Sequence, residues 1–262
     1  MLGATTKRWK GDYRYLISNL LLKDFRVRYR NMSLGFGWSI ANPLVMMGVL
    51  TFIFTKVMPP SPNTKDFGVF VLCALIPFNF FSLTWVTGTV SLIDSSGIIK
   101  RTTFPREIVP IGAVLANSIH FVIQLVLLLV IALLYGYRPN LNWFLLPVLA
   151  GLEILFVCGV VLMFSALDVY VRDTRYVVES ANTVLFWLVP IFYNPNIIPE
   201  KYVAIYNWNP LAAVVMAFRN ILLENKTPAE SLLVKLTIGT TVSLMMGFFI
   251  FGRLKRRFYD YL

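Results

Sequence analysis

The chain has 262 residues, of which 57% are hydrophobic and only 14% charged, with a mean hydropathy of +0.69. These values exclude an ordinary soluble domain, and at roughly 20 apolar residues per crossing the length holds about six spans with no room for a sizeable soluble catalytic domain. The net charge of +11 does not point to nucleic acid, because the basic residues lie between apolar runs; anionic lipid headgroups and anionic cargo are the partners it suits.

In residues 11–30, Tyr13, Leu16, Ile17, Leu20, Leu21 and Phe25 recur at helical spacing, with Arg14, Lys23, Arg26 and Arg28 between them. That pattern predicts an amphipathic helix lying on a membrane surface rather than a signal peptide. Charge-free stretches then mark the crossings, because a charge at the bilayer centre costs about 2.5–3.5 kcal/mol even on the gentlest scale. The runs are Trp38–Thr55, Phe67–Ile93, Ile108–Tyr137, Trp143–Leu167, Ser180 to about Tyr193, and Leu232–Gly252. Residues 202–218 are apolar but broken by Asn207, Asn209 and Pro210, so they are read as a re-entrant or interfacial element. Segments 1–33, 94–107, 168–178 and 252–262 hold 17 of the 24 Lys and Arg residues, which puts both termini in the cytoplasm. The expected fold is an all-α membrane domain spanning 1–262: a cytoplasmic amphipathic N-terminus (1–33), a six-span bundle (34–252) and a cytoplasmic tail (253–262).

Catalytic spacing is scarce. The sequence has no phosphate-binding G-x-x-x-x-G-K-[ST], no H-E-x-x-H and no nucleophile elbow. Cys73 and Cys158 lie inside apolar runs, so neither a disulfide framework nor a metal site is expected. Intramembrane polar residues remain: Asn117, His120 and Gln124 on the third run and Glu153 on the fourth. His120 and Glu153 fall near the midplane, where they serve either a proton relay or substrate contact, or simply interhelical hydrogen bonding. Glu153 is expected to be neutral or hydrogen-bonded to His120 or Gln124.

Four segments together resemble the membrane subunits of ABC-2 type exporters, specifically those that move O-antigen, capsule or teichoic-acid chains. The first is Lys23 to Arg30 with Ser33-Leu34-Gly35, Trp38 and Asn42-Pro43-Leu44; the second is Gly97 to Glu107 with Pro110. Val171 to Arg175, with Pro190 to Tyr193, forms the third, and Asn209-Pro210-Leu211 with Phe218-Arg219-Asn220 the fourth. The resemblance implies a homodimeric pore, two separate ATP-binding cassette subunits that bind ATP and Mg, a polyprenyl-linked glycan as cargo, and residence in the cytoplasmic (inner) membrane among its lipids.

It also implies site residues. Ile98, Ile99 and Phe104, with Lys100, Arg101 and Arg106, form a coupling element that docks on the ATPase; the plainer reading is a positively charged inner loop. Arg26, Arg28 and Arg30 hold anionic lipid or, with the Leu34-Gly35 turn, receive the pyrophosphate of the glycan lipid. Trp38, Phe52 and Phe54 on the first span and Phe186, Trp187, Phe192 and Tyr193 on the fifth are the expected pore lining, where flat aromatic faces let a sugar chain slide. The other readings are export of a small lipid or drug, and a membrane-embedded transferase using the acid pair Asp168 and Asp173.

Overall fold

The computed structural model describes residues 15, 18, 19, 21 and 22, 35–57, 66–101, 104–195, 199, 201 and 209–261. Every regular element among them is helical. A 3-10 turn at Gly35–Gly37 leads into α1 (Trp38–Phe52), which ends in a π turn at Ile53–Val57. Next come α2 (Phe67–Asp94), the short α3 (Ser96–Arg101), α4 (Ile108–Leu134), and α5 (Leu146–Tyr170), preceded by a 3-10 turn at Leu141–Leu145. The chain continues through α6 (Thr174–Leu188), α7 (Pro210–Leu222) and α8 (Glu230–Leu254), then a 3-10 turn at Lys255–Arg257 and α9 (Phe258–Tyr261).

Five of these segments are long and apolar enough to cross a membrane: Trp38–Val57, Phe67–Lys100, Ile108–Leu134, Leu141–Tyr170 and Glu230–Arg257. They match five of the six runs expected from sequence, with local reasons for each boundary. α4 ends before Tyr137 because Gly136, at φ +87°, closes it: Gly136 N–H donates to Leu133 O and Tyr137 N–H to Ala132 O, both at 3.0 Å. Ahead of α5, the Asn140 side chain accepts from Trp143 N–H at 3.2 Å and starts the 3-10 turn.

The run expected from Ser180 to Tyr193 is displaced. α6 begins six residues earlier and stops at Leu188, where Pro190 forces Val189 into extended geometry at ψ 135°. Its 15 residues rise about 22 Å, short of the roughly 30 Å hydrocarbon core. The chain from α6 nevertheless runs the length of the bundle. Arg175 meets Asp168 at the basic end (3.7 Å), and Phe192 stacks on Phe54 at the opposite end (5.1 Å between ring centroids).

α2 is the central post, 78% buried over its apolar window, whereas α1 is only 11% buried. α5 and α8 form the closest pair. A Cβ on Gly159 would overlap the backbone of Ser243 and Leu244, and one on Gly247 would overlap the backbone of Gly159, so small residues set this crossing. Thr240 Oγ1 and Ser243 Oγ donate across it to Leu152 O (3.2 Å) and Phe156 O (2.9 Å). A second apolar cluster at the basic end gathers Leu92, Ile99, Val109, Leu162, Phe251 and Phe258.

α7 begins at Asn209, whose side chain accepts from Leu211 N–H at 3.0 Å, with Pro210 in the first turn. Pro210 abuts Gly239, nine residues into α8 and so about 13 Å from its start. At the other end of α7, Asn225 bonds Asn140 and Asn142. α7 is buried along nearly its whole length. Tyr15, Ser18, Asn19, Leu21 and Leu22 are helical; the rest of the expected amphipathic helix lies outside the described residues.

Candidate functional site

The expected pore aromatics separate into two groups. Trp38, at 48% exposed, and Phe52, at 61%, belong to a stripe on α1 that includes Asn42, Val45 and Val49. These positions recur at helical spacing, so one whole face of α1 is uncovered. Trp187, at 62% exposed, lies on a matching stripe of α6 with Tyr176, Ser180 and Thr183. That side mixes aromatic rings and hydroxyls with exposed Val177 and Val184, and Thr183 Oγ1 donates back to Glu179 O at 3.1 Å.

Phe54, Phe186, Phe192 and Tyr193 are instead half-buried in a cluster at the end opposite the basic loops. Phe54 stacks on Phe192, Phe186 and Trp187 meet edge to face at 5.6 Å, and Trp187 and Phe192 do so at 5.4 Å. Phe67 joins through Phe54 (5.8 Å) and brings in Phe70 (6.0 Å). The Tyr193 hydroxyl donates toward two carbonyls, Trp187 O at 3.1 Å and Leu188 O at 3.2 Å, and so caps the C-terminus of α6. Sequence reasoning named five of these rings and missed Phe67, Phe70 and the contact of Phe70 with Arg219. Arg219 lies 3.5 Å from the Phe70 ring centroid and donates to Phe70 O and Ile191 O.

At the basic end, α3 divides the expected coupling residues. Ile98, at 38% exposed, and Lys100 point outward, while Ile99, at 1%, is buried in the second apolar cluster and Phe104 packs against that cluster. Arg106 donates to Lys255 O at 2.7 Å and lies over the Phe258 ring, and Lys255 pairs with Glu107 at 2.8 Å. Tyr170 Oη donates to Leu254 O at 2.7 Å. The tail is therefore built into the loop that carries α3, and Phe258 is fully buried there. The Arg101 side chain lies outside the described residues.

Gly35 opens the 3-10 turn before α1 with φ +46°, a conformation that favours glycine. Arg26, Arg28, Arg30 and Leu34 lie outside the described residues. Asp168 is buried and paired with Arg175, so it serves the α5–α6 turn, while Asp173 precedes α6 and is exposed.

His120 and Glu153 do not meet, correcting the expectation that His120 or Gln124 would hold the carboxyl. Asn117, His120 and Gln124 fall on one face of α4, and that face looks at α1 and α2. His120 Nδ1 is 3.1 Å from Ser39 Oγ, Gln124 donates to Ser39 O at 2.9 Å, and Asn117 donates to Thr87 Oγ1 at 3.0 Å. Glu153 is fully buried on α5, and neither carboxyl oxygen has a hydrogen-bond partner among the described residues. Between α1, α2 and α4 lies a cleft of about 710 Å³ on which these α4 residues open.

Residues 15–223 match the sequence model of the family described as "ABC-2 type transporter". The chain is 32% identical over 259 residues to the "O-antigen export system permease protein RfbA" of Klebsiella pneumoniae, covering 97% of this chain and 99% of that protein. It is 27% identical to the protein of the same description from Myxococcus xanthus, over 94% of this chain and 95% of that one. The "Polysialic acid transport protein KpsM" of Escherichia coli is 26% identical, over 88% of this chain and 90% of that protein. With five apolar spans and most of its length matched, the chain belongs to the ABC-2 type transporter family of multi-pass membrane subunits.

Proposed function

We propose that this chain is the permease subunit of an ATP-driven exporter that carries a lipid-linked polysaccharide, O-antigen-like, across the cytoplasmic membrane. The observation that carries the reading is the uncovered stripe of Tyr176, Ser180, Thr183 and Trp187 on α6, at the depth of the apolar spans. Thr183 Oγ1 is satisfied by Glu179 O (3.1 Å), but exposed Glu179 and Ser180 on this uncovered side favour water or a polar cargo over lipid tails. The stripe on α1 supplies a second, largely apolar wall with Trp38 and Phe52. Two copies of the chain would close a pore between such faces. The relatives, two O-antigen export permeases and a polysialic acid transport protein, agree in cargo class.

On this reading, residues 174–195 make the sixth crossing by combining a short helix with an extended exit. α7, starting at depth beside Gly239 and ending near Asn225, is the rising limb of a re-entrant hairpin. The basic end is cytoplasmic, with both termini there. Two ATP-binding cassette subunits, which hold ATP and Mg, dock on the outward side of α3 through Ile98 and Lys100, with Ile99 and Phe104 anchoring that helix from beneath. Arg26, Arg28, Arg30 and the Leu34-Gly35 turn receive the lipid pyrophosphate.

The test is complementation. In a bacterium lacking its own O-antigen permease, this chain and its cognate ATPase should restore surface glycan on gels. Restoration should require ATP hydrolysis by that partner. Absence of surface glycan with both proteins present in the membrane would overturn the reading.

A further inference from the structure

The cleft between α1, α2 and α4 carries several polar side chains within a mostly apolar lining. At about 710 Å³ it falls within the range of roughly 300–1,000 Å³ occupied by small-ligand sites. It lies deep: His120 is the thirteenth residue of α4, about 18 Å from that helix's start. Most of its polar groups satisfy one another through the Ser39–His120, Gln124–Ser39 and Asn117–Thr87 bonds given above. Ser82 accepts from Asn182 of α6 at 2.6 Å.

Two do not. Asn42 and Asn79 both line the cleft, and neither amide has a hydrogen bond to any described residue. Asn42 is exposed and Asn79 half-buried, so both amides are open to water or to a ligand that enters the cleft. No Asp, Glu, Lys or Arg lines the cleft, so an anionic headgroup would find no countercharge there. Trp38, half exposed, lines the same cleft one turn before Asn42 on α1 and offers a flat aromatic face there. Unpaired amides, an aromatic face and no charge together fit a ring with apolar faces and hydroxyl edges.

We propose that this cleft binds a neutral sugar ring, with Asn42 and Asn79 bonding its hydroxyls and Trp38 stacking on its face. It would hold a sugar of the cargo apart from any phosphate group; the identity of that cargo rests on the exporter reading above, whereas the binding chemistry does not.

The experiment uses the full chain with its ATPase partner in lipid nanodiscs. The probes are an alkyl glucoside and an alkyl phosphate carrying the same photoreactive tail, with labelled peptides mapped by mass spectrometry. The glucoside should label residues 38–46 and 117–124, and the phosphate should not. In the Asn42→Ala/Asn79→Ala double variant, glucoside labelling should fall about tenfold or more, the loss expected from two neutral hydrogen bonds. Trp38→Phe should retain labelling and Trp38→Ala should weaken it. Should the double variant fail to assemble, Asn79→Ser alone should give a drop of several-fold. Equal labelling by both probes, or undiminished labelling in the asparagine variants, would overturn the proposal. Restored surface glycan without cleft labelling sinks this inference alone, and cleft labelling without restored glycan sinks only the exporter reading.

Discussion

Arg219 Nη2 donates to the Ile191 carbonyl at 2.7 Å while its guanidinium lies 3.5 Å from the centroid of the Phe70 ring. Ile191 belongs to the stretch that leaves α6 after Pro190, and Phe70 begins the most buried helix of the bundle. One buried cation on α7 thus ties the exit of α6 to α2. Hydrogen bonds from a charged donor contribute about 1.5–3 kcal/mol each, so Arg219→Met should lower the Tm of the purified protein by several degrees. Arg219→Lys, which keeps the charge but loses the planar fork, should fall between. The check is thermal unfolding in detergent with limited proteolysis near residue 191. A normal Tm with unchanged cleavage in Arg219→Met would show that the carbonyls find other donors.

The α5–α8 contact predicts opposite outcomes for two glycines. At Gly159 an added methyl meets the backbone of Ser243 and Leu244, which cannot swing aside, so Gly159→Ala should cost about 1–3 kcal/mol by overpacking. Gly252, near the end of α8, has open space around it, and Gly252→Ala should be neutral or stabilise by about 0.5–1 kcal/mol through helix propensity. Thermal unfolding of both variants decides it. A Gly159→Ala protein as stable as the parent would mean that the helices separate at little cost.

The five long spans were legible because a charge-free run of that length has few alternatives to a membrane helix. Less legible were features fixed by tertiary contact. Two adjacent isoleucines in the six-residue α3 have no readable phase, yet Ile98 faces out and Ile99 in. The tail reads as a run of positive charge, and nothing local foretells that Phe258 is buried or that Arg106 bonds Lys255. Phe67 and Phe70 begin another helix, so their place in the aromatic cluster depends on Phe54 and Phe192 coming from elsewhere. Nothing in the Phe218-Arg219-Asn220 segment itself foretells that α7 sets Arg219 against two carbonyls.

That division of α3 yields a paired prediction. Ile98→Asp should leave abundance and Tm unchanged but reduce co-purification of the ATPase. Ile99→Asp should lower abundance, because a carboxylate among Leu92, Leu162 and Phe258 is stranded in an apolar cluster. Phe258→Ala should resemble Ile99→Asp, costing about 3–5 kcal/mol as a fully buried ring. Membrane immunoblots and pull-down of the partner distinguish these outcomes. Normal coupling in Ile98→Asp would place the docking surface elsewhere on the basic end.

On the exporter reading proposed above, the aromatic residues at the end of α6 divide into an uncovered ring and a packed scaffold. Trp187 is uncovered, so Trp187→Ala should leave abundance and Tm near the parent while shortening the exported glycan. Tyr193 is different. A flat face, as Phe would also supply, is all that a moving chain needs, but Tyr193 carries more than a face. Its hydroxyl in fact caps the carbonyls of Trp187 and Leu188, so Tyr193→Phe should cost about 1 kcal/mol and disturb the α6 exit. Phe192→Ala, which removes the ring stacked on Phe54, should cost more and lower abundance. Chain-length profiles of surface glycan beside immunoblots separate the two effects. A shortened product from Phe192→Ala at normal abundance, with full-length product from Trp187→Ala, would reverse the assignment and make the buried cluster, rather than the α6 stripe, the surface that the cargo touches.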